Sequence, residues 1–295
     1  MQKVKKMAHI IEDSYSSAAL RRGDEDPHPS RPVGEFIGEV VSNDWVNDEY
    51  KLVVLDIHKK ALTASAGQFF HLLCPSPDGA EVWMRRPMSV YRIDAPNGRV
   101  EFLYKCEGRG TKGISALEAG DEFNIAGPLG VGFWLERDWK NIVVLGRGVG
   151  LATLAPLSQL AATNGVGITA ILSARNPDVI MSRDLFESYG AKIIEVVDTD
   201  GSSDVANVKQ TIEGLVTEGK ADAFFTCGSN RLLRLMKDLG EKHGVPGQVA
   251  MEQIMVCGFG ACYVCVRTFE INGERVLKRI CREGPVFKME ETVGW

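Results

Sequence analysis

Residues 141–156 read NIVVLGRGVGLATLAP. An apolar, β-branched run leads directly into a glycine turn, and the turn leads into a helical pattern from about Gly150 to Thr163. A strand buried on both faces reads as continuous rather than alternating apolar residues, so strand, tight turn and helix in this order predict a parallel α/β unit. The turn glycines Gly146, Gly148 and Gly150 would let backbone approach a pyrophosphate. The helix start would meet it with free N–H groups and a partial positive charge. The full G-x-G-x-x-G fingerprint is absent, so the ordinary dinucleotide fold is not implied, and glycines in such turns also serve packing alone.

Working outward, the C-terminal side repeats the rhythm. Ile168–Leu172, Lys192–Val197 and Ala223–Thr226 are further apolar strands, with helical patterns over Ser182–Tyr189, Val205–Glu218 and Asn230–His243. A parallel sheet covered by helices on both faces is the expected result. The N-terminal side is different in kind: Phe36–Val41, Tyr50–Ile57, Gln68–Leu73, Pro87–Ile93, Val100–Cys106 and Glu122–Ala126 are short strand-like runs, with a hairpin signal at Asn97-Gly98. They predict a small antiparallel barrel or sandwich. Before them, Arg21–Pro32 reads as a linker, and Val4, Met7, Ile10 and Ile11 as a weak amphipathic helix. The expected organisation is an N-terminal extension over 1–34, a β barrel over 35–136, a parallel-sheet α/β domain over 137–246 and a small cysteine-rich domain over 247–295.

Composition excludes several classes. The 295 residues are 44% hydrophobic and 25% charged, the balance of a folded globular chain. Thirty-four basic against 39 acidic residues leave a formal charge of −5, without the basic footprint of a nucleic-acid partner. No apolar run approaches the roughly 18 residues of a membrane span. The opening MQKVKKMAHIIEDSYSS breaks its short apolar run at Glu12 and Asp13 and does not read as a signal peptide, so a cytoplasmic location is expected.

Four of the seven cysteines crowd into the tail as Cys257-Gly-Phe-Gly-Ala-Cys262-Tyr-Val-Cys265 and, further on, Cys281. An odd total fits a disulfide framework poorly. The pattern C-x4-C-x2-C…C is the plant-type [2Fe–2S] spacing, in which two irons take two thiolates each. Gly258 and Gly260 would let backbone amides turn toward the sulfurs. The rival is a four-cysteine structural zinc, which usually carries two C-x2-C knuckles where this tail has only Cys262/Cys265.

Two further motifs lie on the barrel: Arg86-Pro87-Met88-Ser89, and Gly108-Arg109-Gly110-Thr111, whose end could open a short phosphate-binding helix. Taken alone, the first is an unremarkable solvated strand. In order along the chain, RPMS, GRGT, GRGVGLATLAP, the strand end Thr226-Cys227-Gly228-Ser229 and the cysteine tail resemble the ferredoxin–NADP reductase superfamily. Within it, the chain is similar to the electron-transfer subunits of type-B dihydroorotate dehydrogenases and to the small subunit of NADH-dependent ferredoxin–NADP oxidoreductases. The likeness runs over about residues 35–295.

The resemblance implies FAD on the barrel, with Arg86 at the pyrophosphate, Pro87 and Met88 under the flavin, and Ser89 near its N5. It places Leu103, Tyr104 and Lys105 along the adenosine side, and Gly110 and Thr111 at the pyrophosphate. A pyridine nucleotide would lie over Gly146, Gly148 and Gly150, with Cys227 and Gly228 near the nicotinamide. Without the family, Cys227 reads equally well as a buried small hydrophobe. Cys257, Cys262, Cys265 and Cys281 would hold the cluster, and the final electron donor or acceptor would sit on a second, flavoprotein-type oxidoreductase subunit of a hetero-oligomer. The function so implied is electron transfer between NAD(H), FAD and [2Fe–2S] in pyrimidine biosynthesis. An electron-bifurcating reductase subunit and a zinc-stapled binding module are the alternatives.

The chain departs from the family in its N-terminal extension and in Arg147, where a further glycine is common. NAD(H) is expected rather than NADP(H). Beyond the second α/β strand, Ser173–Asp178 offers Arg175 with Asp178 close by, and Arg183 follows only later, not the paired cations a 2′-phosphate calls for.

Overall fold

The computed structural model of the chain describes residues 33–76, 79 and 82–293. The expected N-terminal helix and linker lie outside them. The first sheet has seven strands: β1 (Gly34–Trp45), β2 (Tyr50–Asp56), β3 (Phe69–Leu72), β4 (Arg86–Ser89), β5 (Arg92–Asp94), β6 (Arg99–Lys105) and β7 (Glu122–Leu129). Their order is β4-β3-β7-β1-β2-β6-β5, with every neighbouring pair antiparallel. The run expected over Pro87–Ile93 is two strands, because the chain leaves the β3 edge after Ser89 and joins β6 on the opposite edge at Arg92. Between β6 and β7 lies helix α1 (Arg109–Ser115).

Period-two alternation sorts the side chains of this sheet. On β6, Val100, Phe102 and Tyr104 enter the interior of the curled sheet beside Phe70, Leu72 and Phe123. Leu103 faces the other way and joins a cluster shared with the α/β sheet. On β3, Phe70 and Leu72 point inward, whereas Phe69 packs with residues of the C-terminal tail.

The second sheet follows the order β10-β9-β8-β11-β12-β15. Its parallel strands are β8 (Asn141–Arg147), β9 (Gly167–Ala174), β10 (Lys192–Val197), β11 (Ala223–Cys227) and β12 (Gly247–Ala250); β15 (Val286–Lys288) closes the edge antiparallel. β8 is buried on both faces, with Ile142 and Val144 in one apolar cluster and Val143 and Leu145 in the other. The single helix expected from Gly150 to Thr163 is two, α2 (Gly150–Leu154) and α3 (Pro156–Thr163). Pro156 lacks an N–H and its ring clashes with a preceding turn, so it opens a new helix at a position where no donor is needed. Helices α4 (Arg183–Ser188), α5 (Val205–Thr217) and α6 (Asn230–His243) complete the layers.

The tail does not stand apart. β12 and β15 belong to the α/β sheet, and only the hairpin β13 (Val266–Ile271) with β14 (Glu274–Arg279) forms a sheet of its own. The expected boundary at 246/247 thus falls at the start of an α/β strand. Cys265, Cys281, Phe269 and Phe287 pack in one cluster with Phe69 of β3 and Leu145 of β8, so the tail takes its core from both sheets.

Gly150 marks the tightest contact of the glycine turn. A Cβ there would lie 2.5 Å from the Cys227 carbonyl oxygen and 3.1 Å from Gly228 Cα. Backbone on backbone cannot yield as a side-chain end can. Gly150→Ala is therefore expected to cost about 1–3 kcal/mol and to lower the melting temperature by several degrees. An unchanged thermal midpoint in calorimetry would show that the turn relaxes freely.

Candidate functional site

A cleft of about 390 Å³ opens where the two sheets and the tail meet. It is lined by Arg86, Pro87, Met88 and Ser89 of β4, Leu103 and Lys105 of β6, and Gly110 and Thr111 of α1. These eight residues are scattered over the sequence, and the sheet register brings them together. Tyr104 does not reach the cleft. It lies on the opposite face of β6, fully buried, with its hydroxyl donating to Asn43 Oδ1 at 2.9 Å.

Arg86 lies along the start of α1: a Cβ on Gly110 would be 3.1 Å from its Nε. Its guanidinium donates to the Met84 carbonyl at 2.6 Å, and among the described residues no carboxylate pairs with it. The Thr111 hydroxyl accepts from the Gly108 N–H at 3.0 Å and the Glu107 N–H at 3.1 Å, and so fixes the turn that opens α1. Ser89 accepts a hydrogen bond from Thr153 of α2 at 2.9 Å, a direct polar link between the two sheets' domains. Thr153 also hydrogen-bonds the Cys227 thiol. Cys227 itself is 1% exposed and lies beneath the cleft wall rather than on it. Burial, then the nearby Glu252 carboxylate, push its thiol up and keep it protonated.

The far wall is made of residues that local sequence reading did not single out: Phe69, Val149, Ala152, Thr153 and Met251, Glu252, Gln253 and Met255 of the tail. Burial raises the Glu252 carboxyl above its ordinary value. Thr153 carried a signal, since it stands one helical turn after Gly150 on the same face. The tail residues carried none, because nothing local says that the chain returns from β12 to cover the cleft.

Around the glycine turn, Gly146 lies under Leu151 and Leu154, and Gly148 faces the Tyr50 hydroxyl of the first sheet. Arg147 is not turned into the turn's mouth. It donates to Asp198 through two nitrogens at 2.6 and 3.0 Å and to the Ser173 hydroxyl at 2.9 Å. The Arg147 hydrogen bond, helped by the Ser203 hydroxyl, holds the Asp198 carboxyl at about 2. Arg175 is paired with Glu49 of the turn between β1 and β2, and Arg183 with Glu195.

The four tail cysteines stand as two couples. The Cys262 N–H donates to Cys257 Sγ at 3.4 Å, and Cys265 and Cys281 lie with sulfurs 3.2 Å apart. Among the described residues no three of the His, Cys, Asp and Glu side chains converge on a single point. A two-iron cluster takes two thiolates on each iron, and two thiol couples have that composition. Gly258 and Gly260 take φ of +80° and +90°, the left-handed backbone that turns amides inward. Burial opposes ionisation of Cys257, but the N–H groups of Cys262, Phe259 and Ala261 and the Cys262 thiol aim at it and bring it to about 6. Cys281 is pushed the other way by burial and by its hydrogen bond with Cys265. Arg279 braces the loop, donating to the Gly260 carbonyl at 2.9 Å, stacking over Tyr263 at 5.0 Å and pairing with Glu283.

Comparison with known proteins agrees with this geometry. Residues 252–293 match the iron–sulfur cluster binding domain of dihydroorotate dehydrogenase B. The chain is 34% identical over 226 residues, 76% of its length and 87% of the relative's, to the dihydroorotate dehydrogenase B (NAD(+)) electron transfer subunit of Streptococcus pneumoniae serotype 4. It is 30% identical over 233 residues, covering 79% and 88%, to that of Desulforamulus reducens. Among solved structures it superposes on the NADH-dependent reduced ferredoxin–NADP oxidoreductase, described for flavin-based electron bifurcation. That match has a TM-score of 0.73 at 27% identity and covers 86% of this chain and 88% of the other. The ferredoxin–NADP+ reductase of Plasmodium falciparum shares the fold at a TM-score of 0.55 and 16% identity, over 71% and 90% of the chains. With 30–34% identity over more than three quarters of its length, and the iron–sulfur domain match at 252–293, the chain belongs to the family of dihydroorotate dehydrogenase B electron transfer subunits.

Proposed function

We propose that this chain is the electron-transfer subunit of a cytoplasmic dihydroorotate dehydrogenase, moving electrons between NAD(H), FAD and a [2Fe–2S] cluster and exchanging them with a catalytic partner subunit. The observation that carries the reading is one juxtaposition: Met251, Glu252, Gln253 and Met255, which wall the cleft, lead within two residues into the first cluster cysteine, Cys257. A flavin, when bound, takes two electrons as a hydride and gives them up singly, and an iron–sulfur cluster carries one at a time. A chain that holds both must keep them close and keep water out, and a shared wall serves both needs.

The residues divide the work by their chemistry. Arg86 and the N–H groups opening α1 bind the pyrophosphate, a planar cation and backbone donors meeting an anion. Pro87 and Met88 form the floor, and Leu103 and Lys105 line the adenosine side. Ser89, oriented by Thr153, offers its hydroxyl toward the flavin's reactive edge. Thr153 and the protonated Cys227 thiol hold the nicotinamide side of the α/β domain against the barrel. Gly146, Gly148, Gly150 and Gly228 would receive the pyridine nucleotide, and Cys257, Cys262, Cys265 and Cys281 would hold the cluster.

The outer surface of the cluster loop supports a protein partner. Ile254, Phe259 and Tyr263 are 60–70% exposed, with Val256 and Val264 beside them. Large apolar side chains exposed together on one short loop suit a protein interface. No helix among the described residues is long and apolar enough to cross a membrane. The superposition on the bifurcating oxidoreductase supports a second reading in which the same relay serves a different partner. The subunit that co-purifies with the chain separates the two.

Three outcomes are expected. Cys262→Ser removes iron and sulfide but leaves stoichiometric FAD, because cluster and cleft rest on different side chains; full iron content in the variant would overturn the ligand set. Arg86→Ala weakens FAD binding roughly ten- to a hundredfold, the worth of a charge-assisted contact of about 1.5–3 kcal/mol. Retention of all flavin after exhaustive dialysis would reduce Arg86 to a surface charge. NADH exceeds NADPH in kcat/KM for dye reduction by at least about tenfold, or about 1.4 kcal/mol, since Arg147, Arg175 and Arg183 are each held by a carboxylate. A preference for NADPH would favour the second reading.

A further inference from the structure

Among the described residues His71 is the buried histidine, 2% exposed on the outward face of β3. Its neighbour on that face, Phe69, lines the cleft and lies 5.8 Å away between ring centroids. Arg85 donates to the His71 carbonyl at 3.2 Å and is itself paired with Glu35. The free edge of the imidazole rests on the cysteine loop. A Cβ on Gly258, the residue after Cys257, would lie 2.7, 2.8 and 2.9 Å from Cε1, Nε2 and Nδ1 of the ring. Only a glycine fits between β3 and the loop at that point.

The ring is also incompletely bonded. Nε2 is buried without a hydrogen-bond partner, although buried polar groups in folded proteins almost always have one. Burial, then the Arg85 charge, hold the imidazole neutral, with a pKa of about 4, so it keeps a single N–H. An orphaned nitrogen facing the loop that carries Cys257 and Cys262 points to an acceptor supplied by that loop's own ligand.

We infer that His71 Nε2–H donates a hydrogen bond to the sulfur shell of the cluster on its Cys257 side, making His71 a positioning residue that sets the cluster's potential from the flavin-binding sheet. The inference rests on the [2Fe–2S] reading above. A donor at a cluster sulfur stabilises the reduced, more negative form over the oxidised one and so raises the reduction potential. It also ties the loop to the strand whose other outward residue walls the cleft.

The test uses the full chain with its partner subunit, grown with [15N]histidine and reduced with dithionite. Pulsed electron–nuclear double resonance on the reduced cluster is expected to show a histidine 15N coupling and a proton coupling lost in D2O. His71→Phe should abolish both and shift the midpoint potential of the cluster downward while leaving that of the flavin in place. His71→Gln, with an amide nitrogen at comparable reach, should recover most of the potential. A [2Fe–2S] signal without either coupling in the unsubstituted protein overturns the inference, and this reading stands even if His71→Phe loses its cluster. An unchanged potential in a cluster-loaded His71→Phe overturns it equally. Absence of any [2Fe–2S] signal would instead sink the cluster reading itself, and the inference with it.

Discussion

Strand β3 is used on both faces, and the rest of the molecule depends on it. Phe70 and Leu72 seal the interior of the first sheet, while Phe69 and His71 form the surface on which the C-terminal tail is laid. A four-residue strand this crowded leaves little freedom. Its outward pair must be large enough to exclude water and shaped to admit the loop, and Gly258 is the complement on the other side. A one-residue slip of β3 against β4 or β7 would exchange the two faces and undo both cores at once. The pairing of Phe70 with Met88 and Leu72 with Arg86 therefore sets cleft and cluster loop together.

The two apolar clusters explain why a chain built of an antiparallel and a parallel sheet behaves as one scaffold. One joins Tyr50 and Leu103 of the first sheet, and Tyr91 between β4 and β5, to Ile142, Val144 and Phe225 of the second. The other joins Phe69 and Leu129 to β8, β11 and the tail. Rigid, shared packing of this kind is what an electron carrier needs, because its work is to hold groups at fixed separation rather than to move protons. Polar links across the seam, among them Thr153 to Ser89 and Arg175 to Glu49, orient side chains that packing alone would leave free to turn.

Electrostatics at the thiol couples run in opposite directions. Cys257 sits among inward-turned amides and is eased toward the thiolate, whereas Cys281 is buried beside Cys265 and resists it. Four neighbouring thiolates without a cation would repel strongly, and burial of Cys281 works in the same direction. The Arg279–Glu283 pair, anchored on the Gly260 carbonyl, keeps the loop in shape beside this charge.

Much of this protein was legible along the chain. The change from short alternating runs to continuous apolar strands separated the two sheets, and the C-x4-C-x2-C spacing named the cluster, because thiolate spacing is a local property of a loop. Resemblance assigns RPMS, Leu103, Lys105 and Gly110-Thr111 to FAD, and the register gathers these residues around one cleft. Resemblance groups Tyr104 with Leu103 and Lys105, whereas alternation along β6 sends it to the opposite face, a matter of strand register rather than of residue type. Arg147 was read against the glycine turn, but its true partner Asp198 comes from another strand end. Glu252, Phe69 and His71 were invisible for the same reason: their roles exist only where the tail crosses β3, and no local periodicity encodes a contact between residues nearly two hundred positions apart. Sequence alone thus determined the order of the sheets and the chemistry of the ligands, since both follow from side-chain pattern. Tertiary packing alone decided which faces meet and which buried groups lie between the two cofactor sites, since that depends on register and on the path of the returning chain.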